Sequence, residues 1–175
     1  MTLLPKVLLI VVALGLSACN NPDRYGAGGA GGAGGDGMGA GIDTTGLGDP
    51  NNPASIAYFN QTVGDKVLFA VDQSSLSDTA RGILAGQAQW LQANPGYAII
   101  IEGHADEQGT REYNLALGAR RASAVQNFLI AQGIPATRMR TISYGKERPI
   151  EACSQEACYA QNRRAVTVLS AGAGV

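Results

Sequence analysis

The residues of this chain that could do chemistry lie in two neighbouring segments. Asp106 lies in Glu102–Thr110 (EGHADEQGT), and Arg121 lies in Tyr113–Ala122 (YNLALGARRA), four residues after Leu117. A carboxylate accepts hydrogen bonds from an ammonium group, and the fork of a guanidinium binds a carboxylate through two N–H bonds. On opposite rims of one groove, this pair would suit a zwitterionic ligand. An internal Asp106–Arg121 salt bridge is the simpler interpretation of the spacing alone.

An enzyme is the competing class of function. Glu102, Asp106 or Glu107 could act with His104 as acid and base, a role for which one group must titrate near neutral pH. A hydrolase also needs a positioned nucleophile or a metal ion. The chain shows no serine or cysteine nucleophile motif, and its single histidine cannot supply a metal triad. The sequence therefore predicts a binding protein without catalytic activity, metal or cofactor, with His104 as a structural loop residue.

The elements that must position these residues are visible in the apolar pattern. Three- and four-residue spacing predicts helices at 77–93 and 110–131, the second with Thr110 as its N-cap. Residues 145–158 are predicted as a loop, followed by one helical turn at 160–164. The apolar, β-branched segments predict four strands, at 66–71, 97–102, 138–144 and 165–169.

The order of these elements predicts the architecture. β-α-β-α-β with a final strand indicates an α+β fold, a two-layer sandwich with both helices packed on one face of a mixed four-stranded sheet. The folded domain is predicted to cover 54–175. The predicted inner face of the second helix consists of Tyr113, Leu117, Ala124, Val125, Phe128 and Leu129.

Charge excludes one class of partner. The chain carries 13 basic and 14 acidic side chains, with a net charge of −1 and a pI near 5.8. Nucleic-acid binding proteins present a basic stripe or patch, which this balance does not provide.

The first 18 residues are predicted to be a signal peptide. Lys6 precedes the apolar run Val7–Leu14, which is too short to cross ~30 Å of hydrocarbon as a helix and fits a secretory signal. The run leads to Leu16-Ser17-Ala18-Cys19, which resembles the lipobox of bacterial lipoproteins. An ordinary signal peptide with an incidental cysteine is the alternative.

If the lipobox functions, the chain is anchored through its first mature residue. Cys19 is the predicted lipidation site, and two or three acyl chains hold a protein stably on a membrane. Asn20 follows in place of an aspartate, which favours the outer membrane. Residues 19–53 are then the lipidated cysteine and a flexible glycine-rich tether, which is too poor in apolar side chains to form a core. The predicted r.m.s. reach of the tether is about 30–35 Å.

Two cysteines remain in the predicted folded domain. Cys153 and Cys158 both fall in the predicted loop. A secretory signal implies an oxidising compartment, where an even pair indicates a disulfide. A structural zinc site needs four ligands, which one histidine and this pair do not supply.

Several motifs together resemble one family. GHADEQGT, YNLALGARRA, SYGKERP and NRRA occur here in the order found in the OmpA-like peptidoglycan-binding domain. The closer resemblance is to the peptidoglycan-associated lipoproteins of the Tol–Pal system, and it covers about Val67 to Leu169. It implies that Asp106 and Arg121 bind meso-diaminopimelate in the peptide stem of peptidoglycan. It also implies that Asn162, Arg163, Phe69 and Asp72 lie at or near the same groove.

The resemblance further implies a cellular role and partners. A lipoprotein of this kind is anchored in the outer membrane with its domain in the periplasm. It binds peptidoglycan non-covalently, together with TolB and other Tol proteins, and supports outer-membrane integrity and constriction at division. The alternative is a structural lipoprotein whose main ligand is a protein such as TolB. Ala70 and Val71 depart from the acidic residue and the phenylalanine common in the family, which puts the rim contacts in question.

Overall fold

The structure is a computed structural model that describes residues 46–152 and 154–171. The predicted signal peptide, the lipobox with Cys19 and most of the predicted tether lie outside the described residues, and so does Cys153. Within the described ranges, no helix has both the length and the apolar content that a membrane span requires.

A mixed four-stranded sheet forms one layer, as predicted. Its strands are β1 (Lys66–Leu68), β2 (Tyr97–His104), β3 (Met139–Gly145) and β4 (Arg164–Ala171). They lie in the order β1-β4-β2-β3. The last strand in the sequence is therefore internal, antiparallel to both β1 and β2, while β2 and β3 run parallel.

Two long helices form the other layer. In α2 (Asp78–Ala93) the N-cap Ser77 accepts from the amide of Ala80, and in α3 (Arg111–Ala131) the N-cap Thr110 accepts from the amide of Tyr113. A capping hydroxyl satisfies one of the first-turn amides that a helix leaves without an internal partner. These contacts confirm both predicted helix starts. Three short elements complete the fold: α1 (Ile56–Tyr58) with its continuation as a π-helical turn (Phe59–Gly64), a 3₁₀ turn (Ala136–Arg138) and α4 (Glu156–Asn162).

The core lies between the layers. Alternate side chains of β2 point to opposite faces, so Ile99 and Ile101 are buried against the helices while Ile100, on the other face, is half-buried. Apolar side chains of this core include Phe59, Leu84, Trp90, Leu91, Ile99, Ile101, Val125, Leu129 and Ile134.

The predicted elements differ from the structure at several places. β1 ends at Leu68 rather than at 71, because the chain turns at 70–73, where the Gln73 amide bonds the Ala70 carbonyl. α4 begins inside the predicted loop 145–158. Residues 46–53, assigned to the tether, fold against the domain: Leu47 packs on the core, and Trp90 Nε1 donates to the Pro53 carbonyl at 2.7 Å.

The approach of α3 to β2 depends on two glycines. A Cβ on Gly103 would stand 1.9 Å from the carbonyl oxygen of Gly118, and a Cβ on Gly118 would stand 2.7 Å from the carbonyl oxygen of Gly103. Side chains at these positions would therefore push the helix off the sheet. The close approach lets Arg121, three residues further along α3, reach the end of β2.

Candidate functional site

A groove of about 250 Å³ opens at one end of the sheet, between the turn after β1, the loop after β2 and the first turns of α3. Loops at the ends of rigid elements often carry binding residues. The groove is lined by Val71, Asp72, Asp106, Gln108, Gly109, Tyr113, Asn114 and Leu117.

Arg121 lies beneath this groove and is fully buried. Its Nε donates to the Gln73 carbonyl at 2.8 Å, Nη1 to the His104 carbonyl at 2.8 Å and Nη2 to the Ala70 carbonyl at 3.2 Å. A guanidinium has five N–H donors, so each terminal nitrogen keeps one N–H that these bonds do not use. The Phe69 ring lies 5.2 Å from the guanidinium carbon.

Burial and charge act on Arg121 in opposite directions. Burial disfavours the cation and lowers the pKa of Arg121 to about 10, although the nearby Asp106 carboxylate works against that shift. At neutral pH the side chain is still a cation. A buried arginine that remains charged and has N–H groups to spare can bind a carboxylate.

Asp106 is 7% exposed and pairs with Arg163, whose Nη1 lies 3.1 Å from its Oδ2. Arg163 also bonds the Glu156 carboxylate, and its Nε donates to the Phe69 carbonyl at 3.3 Å. Burial acts to lower the pKa of Arg163, but the hydrogen bonds to Glu156 and Asp106 raise it overall. The internal Asp106–Arg121 salt bridge considered from the sequence is therefore absent: the direct partner of Asp106 is Arg163.

Phe69 lies beneath the groove, whereas Asp72 lies on its rim. Phe69 is 5% exposed and belongs to the core beneath the groove. Asp72 is exposed on the rim and has a φ of 56°, a left-handed conformation that residues other than glycine seldom adopt. The Tyr113 hydroxyl donates to the Asp72 carboxylate. This bond joins the rim of the turn to the first turn of α3.

Asn162 is brought near the site but not into the groove lining. It is buried, and its Nδ2 donates to Glu107 Oε1 at 2.6 Å and to the Glu151 carbonyl at 2.7 Å. Its Oδ1 accepts from the amides of Ile150 and Glu151. These bonds use both amide hydrogens and two acceptor positions, so Asn162 fastens the loop before α4 to the loop that carries Asp106.

The inner face predicted for α3 is wrong at Tyr113, and it includes the half-buried Ala124 in place of the fully buried Ala122. Tyr113 is 45% exposed and lines the groove rather than the core. Asn114, which was not predicted, is buried, and its Nδ2 donates to the Gln108 carbonyl at 2.6 Å. Apolar periodicity did not identify Tyr113 as a rim residue, because a tyrosine fits either position.

His104 is buried at the end of β2 and lies outside the groove lining. Its ring packs against Tyr144 at 5.5 Å between centroids, and its Nε2 is 3.6 Å from Glu102 Oε2. Burial, with the charges of Arg164 and Arg148, lowers the pKa of His104 to about 4. The imidazole is therefore neutral at physiological pH.

The structure tests part of what the sequence predicted about cysteines and metal ions. Cys158 is disulfide-bonded, and its pairing with Cys153 stays a prediction because Cys153 is not described. Across residues 46–152 and 154–171, no group of three or more histidine, cysteine, aspartate or glutamate side chains is placed to hold a metal ion.

Comparison with known proteins identifies the family. The sequence model of the OmpA family matches residues 68–163. A curated relative from Agrobacterium fabrum, named Peptidoglycan-associated lipoprotein, is 49% identical over 98% of this chain and 90% of its own length.

Solved structures agree on the fold. The crystal structure of the peptidoglycan-associated lipoprotein from Burkholderia pseudomallei superposes with a TM-score of 0.61 and 40% identity, covering 69% of this chain and 98% of that one. The C-terminal domain of Helicobacter pylori MotB, 22% identical, superposes with a TM-score of 0.58 over 62% of this chain and 86% of that one, a likeness of fold alone. The chain therefore belongs to the OmpA family and, within it, to the peptidoglycan-associated lipoproteins.

Proposed function

We propose that the groove binds the zwitterionic centre of meso-diaminopimelate in the peptide stem of peptidoglycan. One arrangement carries this proposal: a carboxylate on the groove wall, Asp106, and a buried cation beneath it, Arg121, are held close without pairing to each other. The free centre of diaminopimelate carries an ammonium and a carboxylate, which complement these two groups.

Asp106 accepts the ammonium in this proposal. Arg163 holds one of its oxygens and keeps the side chain in place, while the other oxygen is available to the ligand. Asp72 adds a second carboxylate on the rim, which increases the attraction for a cation at the mouth of the groove.

Arg121 receives the carboxylate through the N–H groups that the three carbonyls leave unused. Two of those carbonyls belong to the exposed turn 70–73, and Arg121 itself is fully buried. The ligand therefore reaches Arg121 only if this turn shifts outward. The turn can do so without disturbing the core, because its side chains are exposed.

We further infer the cellular setting. The lipobox predicts an anchor on Cys19 in the outer membrane, and the predicted glycine-rich tether lets the domain reach peptidoglycan in the periplasm. The chain then serves the Tol–Pal system, with TolB and other Tol proteins as protein partners, and helps the outer membrane follow constriction at division. The activity is binding rather than catalysis, as the name of its relatives suggests.

The alternative is that a protein such as TolB is the main ligand. Val71, 56% exposed, and Tyr113, 45% exposed, give the groove an apolar rim. Apolar side chains and tyrosines are typical of protein interfaces, and Ala70 and Val71 stand where the family commonly has an acidic residue and a phenylalanine.

Co-sedimentation with diaminopimelate-type sacculi tests the proposal. The mature chain with Cys19→Ser stays lipid-free and is expected to pellet with the sacculi. Free meso-diaminopimelate should release it, whereas Nα-acetyl-lysine, whose ammonium has no carboxylate on the same carbon, should not. This competition uses the unmodified groove, so no loss of folding can imitate it.

Two variants then assign the roles. Asp106→Asn removes the charge at constant shape, and Arg121→Lys keeps a cation but removes the fork; both are expected to reduce pelleting while circular dichroism shows a folded domain. Glu112→Gln, an exposed change in the first turn of α3, is the matched control. A wild-type chain that stays in the supernatant would refute the proposal and favour the protein-partner alternative.

A further inference from the structure

The longer open edge of the sheet is β3. It is the last strand in the order β1-β4-β2-β3 and pairs only with β2. Among the described residues, no backbone group outside β2 bonds the backbone of 140–143. Alternate N–H and C=O groups along its outer side are therefore available to another strand.

A pocket lies at the end of this edge. It has a volume of about 250 Å³ and shares no lining residue with the groove. Leu115 of α3, 48% exposed, and Tyr144 line it from the helix and from the strand. Arg111, Ser143 and Glu147 complete the lining. A pocket beside an open strand edge is the arrangement with which sheets bind extended peptides: the backbone pairs and one side chain is buried.

The charge along the edge is positive. Arg140 is exposed and makes no ion pair with any described residue. The guanidinium of Arg148 stacks on Tyr144 at 3.8 Å without a carboxylate partner in the described ranges. Arg111 pairs with Glu147 at 3.2 Å, and both side chains are exposed. Along β3 and just after it, two cations thus have no ion-pair partner among the described residues.

This charge also discriminates between occupants. If two copies of this chain paired through β3, Arg140 of one copy would face the strand that carries Arg140 of the other. Like charges that face each other across strands are destabilising. An acidic segment would instead neutralise Arg140 and Arg148. The opposite edge, β1, has only three residues and offers a much shorter row of backbone groups.

We propose that the outer edge of β3 docks an extended acidic segment of a partner protein. The segment adds a fifth strand to the sheet, places its carboxylates beside Arg140 and Arg148, and buries one apolar side chain in the pocket formed by Leu115 and Tyr144. The groove remains free, so the domain holds its two ligands at the same time.

A capped peptide of alternating glutamate and valine with one leucine near its end is the probe. It is titrated into the ¹⁵N-labelled mature chain carrying Cys19→Ser. The expected result is a shift of the amide signals of 140–144 and slower hydrogen exchange there. A peptide with lysine for each glutamate, or with N-methyl groups on alternate residues, should bind at least about tenfold more weakly.

Two charge reversals locate the site. Arg140→Glu should weaken binding of the acidic peptide at least about tenfold, whereas Lys66→Glu, an exposed change on the opposite edge strand, should leave it unchanged. Both variants should pellet with sacculi as the wild type does, which separates this proposal from the function of the groove. No binding, equal binding of the lysine or N-methyl peptide, or shifts centred on the groove or β1 would overturn it.

Discussion

Two arginines at opposite ends of the sheet make the same set of hydrogen bonds in different surroundings. Arg138 donates through Nε, Nη1 and Nη2 to the carbonyls of Tyr97, Leu91 and Asn94, at 2.9, 3.0 and 3.1 Å. Arg121 also donates through all three nitrogens to three carbonyls. By these hydrogen bonds alone, both arginines would be structural residues that hold loops against the core.

The two arginines differ in burial and in the charges near them. Burial is the only cause that lowers the pKa of Arg138, and its side chain is half-exposed. Arg121 is fully buried, and the carboxylates of Asp106 and Asp72 oppose the lowering of its pKa. An arginine that fastens backbone needs no carboxylate nearby. The combination of a buried cation, nearby carboxylates and an open groove supports the binding site that we propose at Arg121.

The largest difference between the two arginines is expected in stability. Arg121→Met leaves the buried carbonyl of His104 and the part-buried carbonyls of Ala70 and Gln73 without their donor, and should lower the free energy of unfolding by about 3–5 kcal/mol. Arg138→Met should cost only about 1–2 kcal/mol, because water reaches the half-exposed site. Urea denaturation followed by circular dichroism measures both. Equal losses would mean that the difference in burial has no energetic consequence.

Acid should lower the stability of the domain through His104, at the end of the sheet near Arg121. His104, whose carbonyl holds Arg121, is the one histidine of the chain. Its pKa is about 4 in the folded domain and ~6.5 in the unfolded chain, so the unfolded state binds the proton more readily. Its contribution to stability is fully present above pH 6.5 and is lost between about pH 6.5 and 4, by up to about 3 kcal/mol.

The difference between wild type and His104→Gln isolates this contribution. Glutamine does not titrate, so the variant should lack the decline in that window, whatever its stability at pH 7. Denaturant midpoints measured across the window for both proteins provide the test. Parallel curves would contradict the lowered pKa.

Ligand binding should also differ between the two ends of the sheet. Asp106→Asn should reduce affinity for sacculi about 10- to 100-fold, because a hydrogen bond to a charged group contributes about 1.5–3 kcal/mol. Arg138→Met, at the other end of the sheet, should bind as the wild type does. Pelleting at a series of sacculus concentrations gives both affinities. A comparable loss in Arg138→Met would show that binding follows general stability rather than the groove.

The smallest effect is expected at the rim. Tyr113→Phe removes the hydroxyl that bonds Asp72 and should weaken sacculus binding no more than about fivefold, because an exposed hydrogen bond contributes about 1 kcal/mol or less. Stability should hardly change. Tyr58→Phe, in α1 and outside the groove lining, is the control. A loss as large as that of Asp106→Asn would make Tyr113 a principal ligand contact.

The sequence predicted those parts of the fold whose causes are local. Ser77 and Thr110 start their helices through bonds to amides three residues later, a signal contained in the sequence itself. The mixed sheet and the two-layer arrangement also followed from the order of elements. The helical turn at 56–64 was not predicted, because it depends on Phe59 packing against Trp90 at 4.9 Å.

The candidate site was predicted less completely, for the same reason. The spacing from Leu117 placed Arg121 on the buried face of α3, and the structure agrees. The pairing of Asp106 with Arg163 could not be deduced, because it requires β4 to lie between β1 and β2. The periodicity of a helix contains no information about the order of strands in the sheet.

By itself the sequence determined the caps, the strand and helix segments, the resemblance to a family and the residues worth testing, because these depend on neighbours along the chain. Only the tertiary structure decided which carboxylate meets which cation, since residues 57 positions apart form the Asp106–Arg163 pair. It also decided that Arg121 is shielded by the turn after β1, 48 and 51 positions away. Contacts over such separations form only when the sheet order and the approach of Gly103 to Gly118 bring the elements together.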